Sequence, residues 1–113
     1  MSDCLFCSIA AHEVPATYMR EEDDVFAIRD VNPQAPTHVL VLPREHISSA
    51  AELTHEHTQL WGRMLAVAQE VAREEGLDNG YRLVVNIGRD GGQTVGHLHV
   101  HVLGGRHMTW PPG

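Results

Sequence analysis

The stretch His97-Leu98-His99-Val100-His101-Val102 constrains this chain more than any other part of its 113 residues. Side chains alternate across a β-strand, so an extended backbone here sends the imidazoles to one face and the aliphatic groups to the other. A slip of one residue would exchange the two sets, which fixes the register. The stretch therefore reads as the centre of a strand from Thr94 to Leu103, with Leu98, Val100 and Val102 in the core and the histidines in a row on an accessible face. Packing alone does not account for such a row. Two chemistries do: metal binding, and nucleophilic attack on phosphorus with neighbouring rings contacting phosphate oxygens.

The segment before the strand, Gly88-Arg89-Asp90-Gly91-Gly92-Gln93-Thr94, adds to the second reading. Glycines let a backbone approach an anion, and Gln93 and Thr94 add side-chain donors. A hairpin loop explains the glycines equally well, so the loop counts only together with the histidines.

The other elements follow from local patterning. Residues 4–11 suit a short helical turn stopped by Pro15. Tyr18 to Glu21 and Val25 to Arg29 read as strands, and Asp30 to Pro36 as a loop. His38 to Leu42 reads as a central strand and Tyr81 to Asn86 as a further one. Thr54 to Glu75 carries Leu60, Met64, Val67 and Val71 at helical spacing, with Thr54 as N-cap and Gly76 as terminator. With few crossover helices, the expected class is α+β: a mainly antiparallel five-stranded sheet with one long and one short helix, in a single domain over residues 1–113.

Charge excludes several functions. The net charge is −7, and the basic residues are eight arginines with no lysine. Nothing offsets a polyanionic backbone or an anionic membrane surface, so neither nucleic acid nor a membrane is an expected partner. A P-loop and a lysine Schiff base are impossible. No apolar run approaches the roughly 20 residues that span a bilayer, and no signal peptide is recognisable, so a cytoplasmic location is expected. The two cysteines, Cys4 and Cys7, are spaced Cys-x-x-Cys. In a cytosolic chain that spacing favours metal or redox chemistry over a structural disulfide.

Taken together, these residues resemble the histidine triad (HIT) family. His97-Leu98-His99-Val100-His101-Val102-Leu103 matches its His-x-His-x-His signature. Asp30-Val31-Asn32-Pro33-Gln34-Ala35-Pro36-Thr37-His38, Pro43-Arg44-Glu45-His46-Ile47-Ser48, Gly80 to Asn86, Asp90 to Thr94 and Gly104 to Gly113 resemble the Hint branch, the purine nucleoside phosphoramidases. The resemblance implies a sheet continued across a homodimer and a purine nucleotide substrate. It implies that His99 is the nucleophile, that His101 contacts phosphate, and that His97 and His38 hold the imidazole network. It further implies that Asp30 accepts from ribose hydroxyls, that Asn86, Gln93 and Thr94 line the phosphate site with Thr94 assisting the leaving group, and that Ile9, Val14 and Val31 form an apolar slot for the base. Dinucleoside polyphosphate hydrolysis, nucleotide binding with little turnover, and a metalloenzyme with metal at His99 and His101 are the alternatives.

Two departures matter. Thr94 stands where the Hint pattern commonly has serine, which keeps the hydroxyl but restricts its rotamer. The best-known Hint proteins also lack the Cys4/Cys7 pair. Other HIT proteins have it, and the likeness to them implies a structural zinc held by Cys4, Cys7, His46 and His97. No organic cofactor is expected. Chelation is expected to lower stability more than it lowers the intrinsic chemistry.

Overall fold

Five strands and two helices frame residues 3–113, which the computed structural model describes. In chain order they are α1 (Leu5–Ala10), β1 (Tyr18–Glu21), β2 (Val25–Arg29), β3 (Thr37–Pro43), α2 (Thr58–Glu74), β4 (Tyr81–Val84) and β5 (Val100–Gly104). The sheet runs β1-β2-β3-β5-β4 and every neighbouring pair is antiparallel. The expected α+β class, with one main helix, is the one observed.

The period of two divides the sheet cleanly. Val25, Ala27, Val39, Val41, Val100 and Val102 share one face with Met64, Val67, Ala68, Val71 and Ala72 of α2. This is the packed side, and burying one such side chain contributes about 1.5–3 kcal/mol. The other parity, Phe26, Ile28, Leu40 and Leu42, meets Phe6 and Ile9 of the much shorter α1. A six-residue helix cannot cover a five-stranded face. The rest of that face is where His38, His99 and His101 lie.

Helix α2 starts later than the patterning suggests. Thr54 caps a 3₁₀ turn, His55–His57, and its backbone N–H is accepted by His57 Nδ1 at 3.0 Å. The far end follows expectation. Gly76 adopts a left-handed φ of 72°, and Leu77 N–H returns to the Ala72 carbonyl at 3.0 Å, the αL termination glycine permits.

Two strands are shorter than expected. β4 ends at Val84, and Asn86 lies beyond it. β5 begins at Val100, so Thr94 to His99 are outside the ladder. The partner strand explains this. β3 ends at Pro43, which has no N–H to continue the ladder. The incoming segment is tied to the loop beyond it instead, with Leu98 N–H donating to the Ile47 carbonyl at 2.7 Å. The alternation survives without the ladder, because Leu98 still enters the α2 side of the core.

Candidate active site and metal centre

The histidine row is not exposed, contrary to the sequence reading. His97 is 0% and His99 7% accessible, with His101 half-buried. Phe6 of α1 closes over them, its ring 5.2 Å from that of His99 and 5.9 Å from that of His97, both edge-on.

Burial makes the position of each ring proton a structural matter, and the hydrogen bonds assign it. His99 Nδ1 lies 2.7 Å from the His97 carbonyl, which can only accept. Nδ1 therefore carries the proton, and the lone pair is on Nε2. His38 Nδ1 accepts from Gln34 N–H at 3.0 Å, so the His38 proton is on Nε2. That Nε2–H donates to His101 Nδ1 at 2.9 Å. The proton of His101 is thereby placed on its own Nε2, which is the buried side-chain polar atom without a partner among the described residues. Burial lowers the pKa of both rings, that of His101 to about 4 with further lowering by His99 and His38, so both are neutral near pH 7. His99 thus presents a lone pair, and His101, with ring centroids 4.9 Å away, presents an orphaned donor. That pair suits a phosphoryl group: an electrophile for one and an oxygen for the other.

Asp30 closes the β2–β3 hairpin. Its N–H reaches the His38 carbonyl at 3.0 Å, and its Oδ1 accepts from Asn32 N–H at 2.8 Å. Oδ2 stands 3.4 Å from His38 Nε2, a longer contact that leaves it capacity to accept from a ligand. Asn86 follows two residues after Val84, which is paired with His101.

Other expected site residues are placed differently. The Gln93 amide is fully engaged: Oε1 accepts from Gly88 N–H, and Nε2 donates to the Ser48 and Val95 carbonyls at 2.7 and 3.0 Å. It staples the glycine loop to the segment after β3, and so corrects the reading of its amide as a phosphate donor. Gly88 and Gly92 have φ of 71° and 81°, which is why that loop needs them. Thr94 is exposed. Of the residues expected to form the base slot, Ile9, 6% exposed, and half-buried Val14 pack in one cluster, whereas Val31 is 97% exposed.

A second cluster lies at the other end of the row. The donor atoms of Cys4, Cys7, His46 and His97 all lie within 4.8 Å of one another. Cys4 Sγ is 3.4 Å and Cys7 Sγ 3.5 Å from His97 Nδ1, and Cys7 Sγ is 3.2 Å from His46 Nδ1. Sulfur–nitrogen edges of about 3.5 Å are what tetrahedral zinc with ordinary bond lengths requires. His97 Nε2–H donates to the Pro43 carbonyl at 2.9 Å, so its Nδ1 lone pair faces the sulfurs. A ligating imidazole needs such an outer partner. Burial also lowers the His97 pKa and keeps the ring neutral, as a ligand must be. The residues fit a closed Cys₂His₂ zinc site.

The HIT domain model matches residues 11–108. The chain belongs to the HIT family. Among curated relatives, it is 50% identical over 111 residues to an uncharacterised HIT-like protein of Synechococcus elongatus, covering 98% of this chain and 97% of that one. It is 46% identical over 114 residues to a 14 kDa zinc-binding protein of Zea mays, covering 99% and 89%. Among solved structures, a HIT family hydrolase from Legionella pneumophila superposes with a TM-score of 0.97 at 48% identity, over 98% of this chain and all of that one. A histidine triad nucleotide-binding protein from Candida albicans gives a TM-score of 0.82 at 26% identity, over 96% and 83%. The HIT model begins after Cys4, Phe6 and Cys7, so the Cys-x-x-Cys turn stands outside the matched segment.

The sequence reading missed three contacts in this site: Phe6 over the His99 ring, the Gln34 N–H that orients His38, and the Pro43 carbonyl behind His97. Two of them are main-chain groups, for which residue type carries no signal. Phe6 had one, its place between the cysteines.

Proposed function

We propose that this HIT protein is a purine nucleotide-binding hydrolase of the Hint type that cleaves the P–N bond of nucleoside 5′-phosphoramidates through His99. One observation carries the reading: the buried, unpartnered Nε2–H of His101 beside the Nε2 lone pair of His99. The names of the relatives, a hydrolase and a nucleotide-binding protein, agree with it.

His99 Nε2 gives its lone pair to the α-phosphorus as the P–N bond breaks, and the leaving amine keeps that bond's electron pair and takes up a proton. The Thr94 hydroxyl, exposed to solvent, is the group offered to relay this proton from water. The ring gains positive charge while Nδ1–H stays on the His97 carbonyl, whose dipole stabilises it. His101 Nε2–H donates to a non-bridging oxygen where negative charge is greatest. Water then attacks phosphorus and passes its proton to solvent, replacing the one taken up by the amine, while the P–N bond to Nε2 breaks and the lone pair returns to the ring. The open oxygen of Asp30 takes the ribose hydroxyls, and Asn86 is assigned to the phosphate. Zinc, when bound by Cys4, Cys7, His46 and His97, supplies a cross-link and no reaction chemistry.

The partner subunit belongs to the same proposal. β4 is an edge strand carrying exposed Tyr81 and Leu83, followed by exposed Ile87, and Trp110 and Val31 are exposed apolar groups without cover. Open strand edges with such side chains are pairing surfaces, so a homodimer through β4 is expected.

The test is AMP release from adenosine 5′-phosphoramidate, with sedimentation establishing the dimer. His99→Ala is expected to lower kcat by at least about a thousandfold while the fold and mass are retained. AMP binding without release would transfer the reading to dinucleoside polyphosphates, or to a binding role if those too are untouched.

A further inference from the structure

We infer that Phe6 is a further positioning group for the His99 ring, and that the Cys4/Cys7/His46/His97 group holds both Phe6 and the His97 carbonyl in place. This rests on the reading of His99 as the nucleophile.

Two contacts fix the His99 ring. Nδ1–H to the His97 carbonyl at 2.7 Å decides which nitrogen is bare. The Phe6 ring, edge-on at 5.2 Å with an interplanar angle of 70°, fills the space into which the imidazole would otherwise turn. A half-turn about χ2 would put a ring carbon where each nitrogen now stands, taking Nδ1–H off the carbonyl and the bare Nε2 off its position, and these two contacts oppose it.

Both contacts trace to the metal-type cluster. The His97 side chain is pinned at each nitrogen, by the Pro43 carbonyl and by the two sulfurs, and that sets where its own carbonyl points. Phe6 lies between Cys4 and Cys7 on a six-residue helix. Isolated helices this short do not hold themselves together. The Cys4 side chain caps α1 by accepting from Cys7 N–H, and the sulfurs meet His46 and His97 from the loop after β3 and the approach to β5. The same turn therefore ligates and covers: its ends carry the thiols, and the buried Phe6 between them, 5% exposed, rests on the nucleophile.

The experiment reads the ring nitrogens of His99 by histidine-selective ¹⁵N NMR. Three samples are compared: the zinc-loaded protein, the same protein after chelation, and zinc-loaded Phe6→Ala. Kinetics on adenosine 5′-phosphoramidate run in parallel. The zinc-loaded protein is expected to show one tautomer, protonated at Nδ1. Chelation and Phe6→Ala are each expected to give a mixture and to lower kcat about tenfold or more, the scale of a misplaced reacting group, with KM nearly unchanged. Phe6→Leu, which refills the volume, is expected to recover much of both. A single Nδ1–H tautomer with unchanged kcat in both perturbed samples would overturn the inference. If chelation unfolds the chain, zinc-loaded Phe6→Ala decides alone. If the unmodified protein releases no AMP, the phosphoramidase reading fails, and the tautomer spectra still decide whether the two contacts orient the ring.

Discussion

His99 stands between two groups of side chains that are each close enough to grip a metal: Cys4, Cys7, His46 and His97 on one side, and Asp30, His38 and His101 on the other. By residue type and distance they look alike. They differ in which nitrogen of each ring is already engaged. At His97 the outer nitrogen donates to the Pro43 carbonyl, and a bare lone pair faces two sulfurs. At His38 the outer nitrogen accepts from Gln34 N–H, so the inner one carries a proton and bonds to His101 at 2.9 Å. One backbone acceptor prepares a ligand, whereas one backbone donor prepares an oriented hydrogen-bond donor. A main-chain contact decides what an imidazole does.

The largest break in this comparison comes from the first cluster. Cys7→Ser is expected to abolish stoichiometric zinc. A metal present at a hundred times its Kd stabilises the fold by about 2.7 kcal/mol, which for a chain of this size corresponds to about 10 °C in Tm. Elemental analysis and thermal melts check both. Equal zinc content in Cys7→Ser would mean that the cluster is not the ligand set. The second cluster should respond in the opposite way. His101→Asn removes the orphaned donor and is expected to lower kcat/KM about a hundredfold with zinc content unchanged, as for loss of one donor to a developing oxyanion. Zinc loss in that variant would show that the Asp30/His38/His101 group is itself a metal site.

The sequence carried most of the fold and about half of this distinction. Periods of two and 3.6 sort residues by face, so the α2 side of the sheet, from Val25 to Val102, was legible without coordinates. The start of β5 was not, because the ladder depends on Pro43 in a different strand. The imidazole row was legible as alternation but not as buried, since the cover comes from Phe6, more than 90 residues earlier in the chain. Gln93 misled for a related reason. An amide suits a phosphate and a loop staple equally, and only the Ser48 and Val95 carbonyls show which was built. Val31 is the reverse case, an apolar residue expected in a slot and found 97% exposed.

A change of pH tests the His38–His101 pair in a different way. His101 faces His38 and His99, and the Asp30 carboxylate near it opposes the lowering of its pKa. Burial dominates and holds it at about 4, against 6.5 for an ordinary imidazole. Between these values the unfolded chain binds a proton that the folded chain excludes, so stability rises with pH across that window. The contribution is complete above pH 6.5 and is lost as the pH falls toward 4. His38, also lowered by burial, adds in the same direction. Acid strips zinc ligands as well, so the slope of Tm against pH in the native chain mixes the two clusters. His101→Asn separates them: its slope over that window is expected to be shallower at equal zinc content. An identical slope would assign the whole acid sensitivity to the Cys/His cluster and leave the His38–His101 bond without a role in stability. Below pH 4 a proton on His101 Nδ1 removes the acceptor for His38, so the bond that orients Nε2–H is broken by the titration that the melts record.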